Sequence, residues 1–367
     1  MSYIINKWAL VRRGELAVTP ETIEIHPDFL RILSCEDFDA AFRQVGNMFY
    51  QIMTDISETP ERFGMPLYDE GTTRYGAPEA QESRYAAWRP MKLLYALFTH
   101  GDLVDRRFAV DIPAFKQANK IKNPHVLFKA LGDYGFVFSG LTNDKITPKT
   151  IELTIDYPDN PNIITVMAQV AGKAAKVNAD EMFYRWSFRL LSEPLDSFSY
   201  TDPFYAVYDK TRTPEEKTFV NAFHTAMRER GYFWQSGGGN EGPGIRYYDK
   251  ESVMKRKGPY LFQLWDNKGD LQLYMRVRNA EKCLSHYNGI SMPDEITEMF
   301  RHCDPGCGNH AKGTCDMGIE YVFEGAKRWH CGCCSTLFWL RPKAESISHY
   351  IKLLEIGIKR QEISHVI

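Results

Sequence analysis

No apolar run in this sequence approaches the roughly 20 residues that a membrane-spanning helix needs, so no membrane role is expected. There is little excess of either charge: 45 Lys and Arg stand against 47 Asp and Glu, a net charge of -2. A protein that coats nucleic acid along its whole length is strongly basic, so that class is set aside, while a local basic patch stays compatible. The opening residues Met1-Ser2-Tyr3-Ile4-Ile5-Asn6-Lys7 lack the charged stretch, apolar stretch and small-residue cleavage site of a secretory signal, and a cytoplasmic address is expected. Internal repeats and low-complexity tracts are missing too, which excludes solenoids and arrays. No catalytic signature stands out. There is no G-x-S-x-G elbow, and no histidine pairs with a glutamate at metal-protease spacing.

What is present is an ordinary globular chain. Its 367 residues suggest two or three domains and bury roughly three quarters of the unfolded surface. Hydrophobic residues at 44% and charged residues at 25% allow a core that needs no disulfides. The expected class is α+β: a helical domain with a winged-helix-like part over residues 1–195, then an α+β domain over residues 200–367.

Phe38, Phe42, Val45, Phe49, Ile52 and Ile56 alternate spacings of four and three, which sets them on one helical face, with Ser34 or Asp37 as cap. Arg62 to Arg84 reads as irregular. From about residue 85 to 160 the order is a helix near Pro90, a short strand Arg107 to Asp111, helices opened by Pro113 and Pro124, then a two-stranded hairpin. That is the element order of a winged helix. Arg106, Arg107, Lys116, Lys120, Lys122 and Lys129 would supply phosphate contacts, which makes duplex DNA one expected partner. The opposing reading is a solvated charged face, because the helix opened by Pro124 offers few base-reading side chains beyond Asn123, His125, Lys129 and Asp133.

Ile163 to Lys176 and Asp180 to Leu191 read as helical, and Phe204 to Tyr208 as a strand. Thr213-Pro214-Glu215-Glu216 is a helix start. Strands follow at Gly244 to Tyr248, Tyr260 to Trp265 and Leu271 to Arg278. The run Ser236 to Gly244 has no lysine and leads into a strand, so it fits a flexible loop better than a phosphate cradle. Tyr247, Tyr248, Tyr260, Trp265 and Tyr274 either pack the sheet or line a pocket for a small-molecule ligand.

Six of the eight cysteines fall between Cys303 and Cys334, in the pattern Cys303-x3-Cys307-x7-Cys315, then Cys331-Gly332-Cys333-Cys334, within a metal-binding segment 302–334. Clustering in one segment of a large chain points to metal ligation and a reducing compartment rather than to a disulfide scaffold. Zinc takes four thiolates or imidazoles from two turns joined by a hairpin, and residues 319–330 suit that hairpin. The expected ligands are Cys303, Cys307, Cys315 and Cys331, with Cys333 as the replacement, holding one structural zinc ion. Two other chemistries fit the same residues: reduced thiols without metal, packed or redox-active at Cys333 and Cys334, and an iron–sulfur or catalytic metal site. Cys35 and Cys283 are expected as buried core thiols.

Two passages resemble a group of uncharacterised bacterial proteins. The first is Leu131-Gly132-Asp133-Tyr134-Gly135-Phe136 with Ile155-Asp156-Tyr157-Pro158-Asp159-Asn160-Pro161. The second is the tail from Cys315 through Ile319-Glu320-Tyr321, Gly325 and Cys331 to Pro342. The resemblance implies a bacterial, cytoplasmic family and carries over no activity, substrate or catalytic residue. The expected function is a zinc-stabilised binding or regulatory protein. An enzyme or thiol-redox protein with a pocket in the second domain is the alternative.

Overall fold

The computed structural model describes residues 3–73, 77–118, 121, 124–177, 179–195, 202–211, 213–237, 244–255, 262–267, 270–276, 279–302, 319–330 and 337–358. The chain divides into two compact units, Met1–Thr201 and Asp202–Ile367, each of mixed helix and antiparallel sheet, and the class is α+β. Among the described residues no helix is long and apolar enough to cross a membrane.

Unit one is built around α2 (Cys35–Glu58). Ser34 caps it by accepting from the Asp37 amide, and all six apolar positions of the spacing pattern are buried. Each such side chain contributes about 2 kcal/mol by leaving water. Helix α1 (Ile4–Gly14) and helix α7 (Asn162–Lys176) pack on α2. Trp186 closes this core: its indole N–H donates to the Phe42 carbonyl at 2.8 Å while its ring stacks on Phe42, centroids 4.9 Å apart. At the end of α1 the buried carboxylate Glu15 pairs with Arg12 and lies 3.4 Å from the Arg185 guanidinium.

The rest of unit one carries a four-stranded sheet in the order β1-β2-β4-β3, all pairs antiparallel. In chain order it comprises α3 (Pro78–Ala86), α4 (Arg89–Phe98), β1 (Gly101–Val104), β2 (Arg107–Asp111), α5 (Ile112–Ala118), α6 (Pro124–Gly132), β3 (Val137–Ser139) and β4 (Glu152–Asp156). Phe108 and Val110 of β2, with Leu153 and Ile155 of β4, point into the same hydrophobic core as α2 and α7. Three sequence readings change here. The irregular stretch ending at Arg84 contains α3, whose buried positions are the small residues Ser83 and Ala86, too small to give an apolar period. Asp180 to Leu191 is not one helix but a π-turn at Asp180–Tyr184 and a 3-10 turn at Arg189–Ser192, separated by Trp186 in the left-handed region (φ 52°). Cys35 is exposed, because it occupies the first turn of α2 on its solvent side.

Unit two has a five-stranded antiparallel sheet in the order β11-β8-β7-β6-β5. Its strands are β5 (Phe233–Ser236), β6 (Gly244–Tyr248), β7 (Phe262–Asn267), β8 (Asp270–Arg276) and β11 (Leu337–Leu340). The reading of Phe204 to Tyr208 as a strand is wrong. These residues lie in α8 (Pro203–Tyr208), with the Asp202 carboxylate accepting from the Phe204 amide as its cap and proline in the first position. Helix α9 (Pro214–Glu229) starts with a reciprocal capping box between Thr213 and Glu216. Helices α10 (Glu251–Lys255), α11 (Ala280–His286) and α12 (Asp294–Arg301), the hairpin β9 (Ile319–Phe323) and β10 (Ala326–His330), and α13 (Ile347–Ile358) complete the unit.

Candidate functional site

The expected ligands Cys303, Cys307, Cys315, Cys331 and Cys333 all lie outside the described residues, as do Cys334 and His310. Among the described residues no group of three or more His, Cys, Asp or Glu could hold a metal ion. The elements on either side of that segment are defined. Strands β9 and β10 pair with Ile319 opposite His330 and Phe323 opposite Ala326. The two-residue turn between them has φ 50° at Glu324 and φ 76° at Gly325, the left-handed pair that matches strand twist in a tight hairpin. Glycine suits the second position because it has no Cβ to strain there.

This hairpin is tied to the end of α12. Arg301 donates through Nη2 and Nε to the two Glu324 oxygens at 2.6 and 2.8 Å, a forked pair on the surface. Tyr321 donates to the Phe300 carbonyl at 2.8 Å, and the rings of Phe300 and Tyr321 meet edge to face. The chain therefore leaves α12 beside the hairpin just before Cys303. It re-enters at Ile319 and leaves again at His330, two residues that face each other across one ladder.

A second cluster, not read from the sequence, lies inside unit two. His224 on α9 is only 5% exposed, and its Nδ1 stands 2.9 Å from the hydroxyl of the fully buried Tyr247. Phe204 stacks on the imidazole with centroids 4.4 Å apart, and Trp234 meets it edge-on at 4.9 Å. Asp202 accepts from the Trp234 indole at 2.9 Å and from the Phe204 amide at 2.9 Å, so one carboxylate fixes both rings that enclose the histidine. Burial pushes the imidazole pKa from its ordinary 6.5 down to about 4, against the pull of Asp202. Burial likewise raises the Tyr247 phenol far above its usual range. The pair is neutral at pH 7, with the phenol donating to Nδ1. The sequence signal was available: Val220, Phe223, His224 and Met227 share one helical face, so this histidine interrupts an apolar stripe.

The basic residues of unit one do not converge. Arg106 sits exposed in the β1–β2 turn, and Arg107 pairs with Asp156 at 3.2 Å. Lys116 donates to the Thr147 carbonyl at 2.9 Å, and Lys129 is exposed on α6. Lys120, Lys122 and Asn123 lie outside the described residues. Next to α6, Asp133 accepts from Arg62 at 2.8 Å and Tyr134 donates to Asp55 at 2.5 Å. Val126 packs at Gly64, so one side of α6 rests on the 3-10 turn Pro60–Phe63.

Of the two cysteines in view, Cys283 is buried with Sγ 3.8 Å from the Leu353 carbonyl. Burial pushes its thiol up to about 12, which removes it as a nucleophile. In comparisons with known proteins, no family model, curated protein or solved structure matches this chain.

Proposed function

We propose that the chain is a cytoplasmic, non-enzymatic binding or regulatory protein whose second unit is closed by one structural zinc ion. The observation that carries this reading is the register of β9 and β10. It brings residues 319 and 330 about 5 Å apart, so the segments bearing Cys315 and Cys331 leave the hairpin side by side. Thiolates from Cys303, Cys307, Cys315 and Cys331, with Cys333 in reserve, then suffice for a tetrahedron. A site closed by four thiolates offers no open position, so its binding free energy goes into folding the tail. A reducing compartment keeps those thiols available.

Within unit one, residues 85–160 form a winged-helix-like module in this reading. Support comes from the order α4, β2, α5, α6, β3, β4, with β4 paired between β2 and β3 and β1 as an added edge strand. Duplex DNA as a partner would be met by Lys129 and the β3–β4 connection, since α6 leans on Pro60–Phe63.

Metal analysis with thiol counting tests the zinc. One equivalent is expected, with four thiols protected until a chelator is added; no stoichiometric metal and unprotected thiols reject it. A mobility shift of random duplex by the full chain tests the second part. Binding should weaken steeply with salt, and no shift at low salt removes DNA from the reading.

A further inference from the structure

The two faces of the five-stranded sheet differ in kind. Trp234, Ile245, Tyr247, Leu271, Leu273 and Met275 point into the hydrophobic core of unit two. Strand alternation puts Gln235, Arg246, Tyr248, Gln272 and Tyr274 on the opposite face. An outer face with such side chains is ordinarily wet. Here it is not: Tyr248 is 1% and Tyr274 7% exposed, and Gln235, Arg246 and Gln272 are partly buried. Helix α10 lies against β5 and β6. Among the described side chains of these strands, Arg246 carries the one charge on that face.

Arg246 is held in a specific way. It stands directly opposite Gln235 across the β5–β6 ladder, which one further bond, from the Gly237 amide to the Gly244 carbonyl at 2.8 Å, prolongs. A Cβ on Gly237 would lie 2.2 Å from Cγ, 2.5 Å from Cδ and 2.7 Å from Nε of Arg246. The arginine stem thus lies flat across the one position of the neighbouring strand that has no side chain. Its rotamer freedom is already spent in the free protein, which favours binding. Alongside it, Gln235 Nε2 donates to the Tyr248 hydroxyl at 2.7 Å, leaving the phenolic proton available to another acceptor. Gly237 and Gly244 leave that end of the face without bulk.

We infer that this face binds a small oxyanion, a molecule bearing a carboxylate or a phosphate, with the Arg246 guanidinium as its anchor. A guanidinium fork matches either group through two parallel charge-assisted hydrogen bonds. Partial enclosure strengthens those bonds relative to the surface. The inference does not rest on zinc.

Titration calorimetry on the full chain with inorganic phosphate and with benzoate, against sodium chloride at equal ionic strength, tests it and separates the two sources. Saturable binding of at least one anion is expected. Arg246→Met should weaken it at least tenfold. Gly237→Ala should do the same while keeping the charge, because the added methyl forces the stem aside. Lys255→Gln, which removes an exposed partner of Glu251 on α10, should change nothing. The inference is overturned if neither anion binds the wild-type chain, or if Arg246→Met or a folded Gly237→Ala protein binds as wild type. Native resonances of His224, on the other side of the same sheet, report folding in every variant. Metal content read on the same samples keeps this outcome apart from that of the zinc reading.

Discussion

Lowering the pH should loosen unit two through a single buried imidazole. His224 has a folded pKa of about 4 against an ordinary 6.5, with burial as the main cause. Between those values the unfolded chain binds a proton that the native state refuses, so stability rises with pH across the window. At about 1.4 kcal/mol per unit, the full shift corresponds to about 3 kcal/mol, present above pH 6.5 and lost by pH 4. From pH 7.5 to pH 5 the loss is about 2 kcal/mol. Below pH 4 both states carry the proton and this group adds no further slope. Urea unfolding of the wild-type chain and of His224→Phe at each pH isolates the contribution, because other carboxylates titrate in both proteins. Phenylalanine keeps the stack on Phe204 but leaves Tyr247 without its acceptor, so the variant starts about 1 to 3 kcal/mol lower at pH 7.5. The two curves should converge as the pH falls. Parallel curves from pH 7.5 to 5 would falsify the account, as would an NMR titration of His224 centred near 6.5.

Other perturbations follow from the same geometry. Ser34→Ala removes the acceptor for the Asp37 amide and should cost about 1 kcal/mol in thermal unfolding of unit one. Glu15→Ala leaves the buried Arg12 guanidinium without its carboxylate, and a loss of about 3 kcal/mol is expected by denaturant titration. Iodoacetamide at pH 8 should label exposed Cys35 within minutes and leave Cys283 untouched until denaturant is added, as peptide mass mapping would show. Trp186→Phe retains the stack on Phe42 but strands a buried carbonyl, at about 1 to 3 kcal/mol.

Long elements with a strong period were legible. The stripe from Phe38 to Ile56 became α2, and Thr213-Pro214-Glu215-Glu216 became the capped start of α9, because caps and apolar spacing act locally. The two-residue turn at Glu324–Gly325 was equally readable from its flanking strands. Short elements failed where periodicity has too few residues to decide. Phe204 to Tyr208 is apolar enough for either strand or helix, and the Asp202-Pro203 cap, the deciding signal, reads equally well as a linker. Strand β1 was invisible because it buries little of its own, with Asp102 and Val104 turned outward. Burial of single polar residues was the least legible of all. Nothing local distinguishes His224 or Glu15 from a surface residue; their burial is decided by Phe204, Trp234 and Arg185, which lie 10 to 170 residues away in sequence.

The two sheets explain why the anion site is sought in unit two and not among the arginines and lysines of unit one. On the four-stranded sheet, Asp102, Val104, Arg107, Asp111 and Glu152 are exposed on the outer face, and each inward neighbour is apolar. The charges there have local work: Arg107 pairs with Asp156, and Asp111 accepts from the Ala114 amide at the start of α5. Such a face needs no ligand, because water already satisfies it. On the five-stranded sheet the corresponding face is enclosed while keeping glutamine, arginine and tyrosine. Apolar residues would fill an enclosed layer at lower cost, since a buried guanidinium must recover its lost hydration from partners. A polar layer kept under cover, with a glycine placed so that the arginine can lie down, is therefore the feature of this fold that core packing alone does not account for.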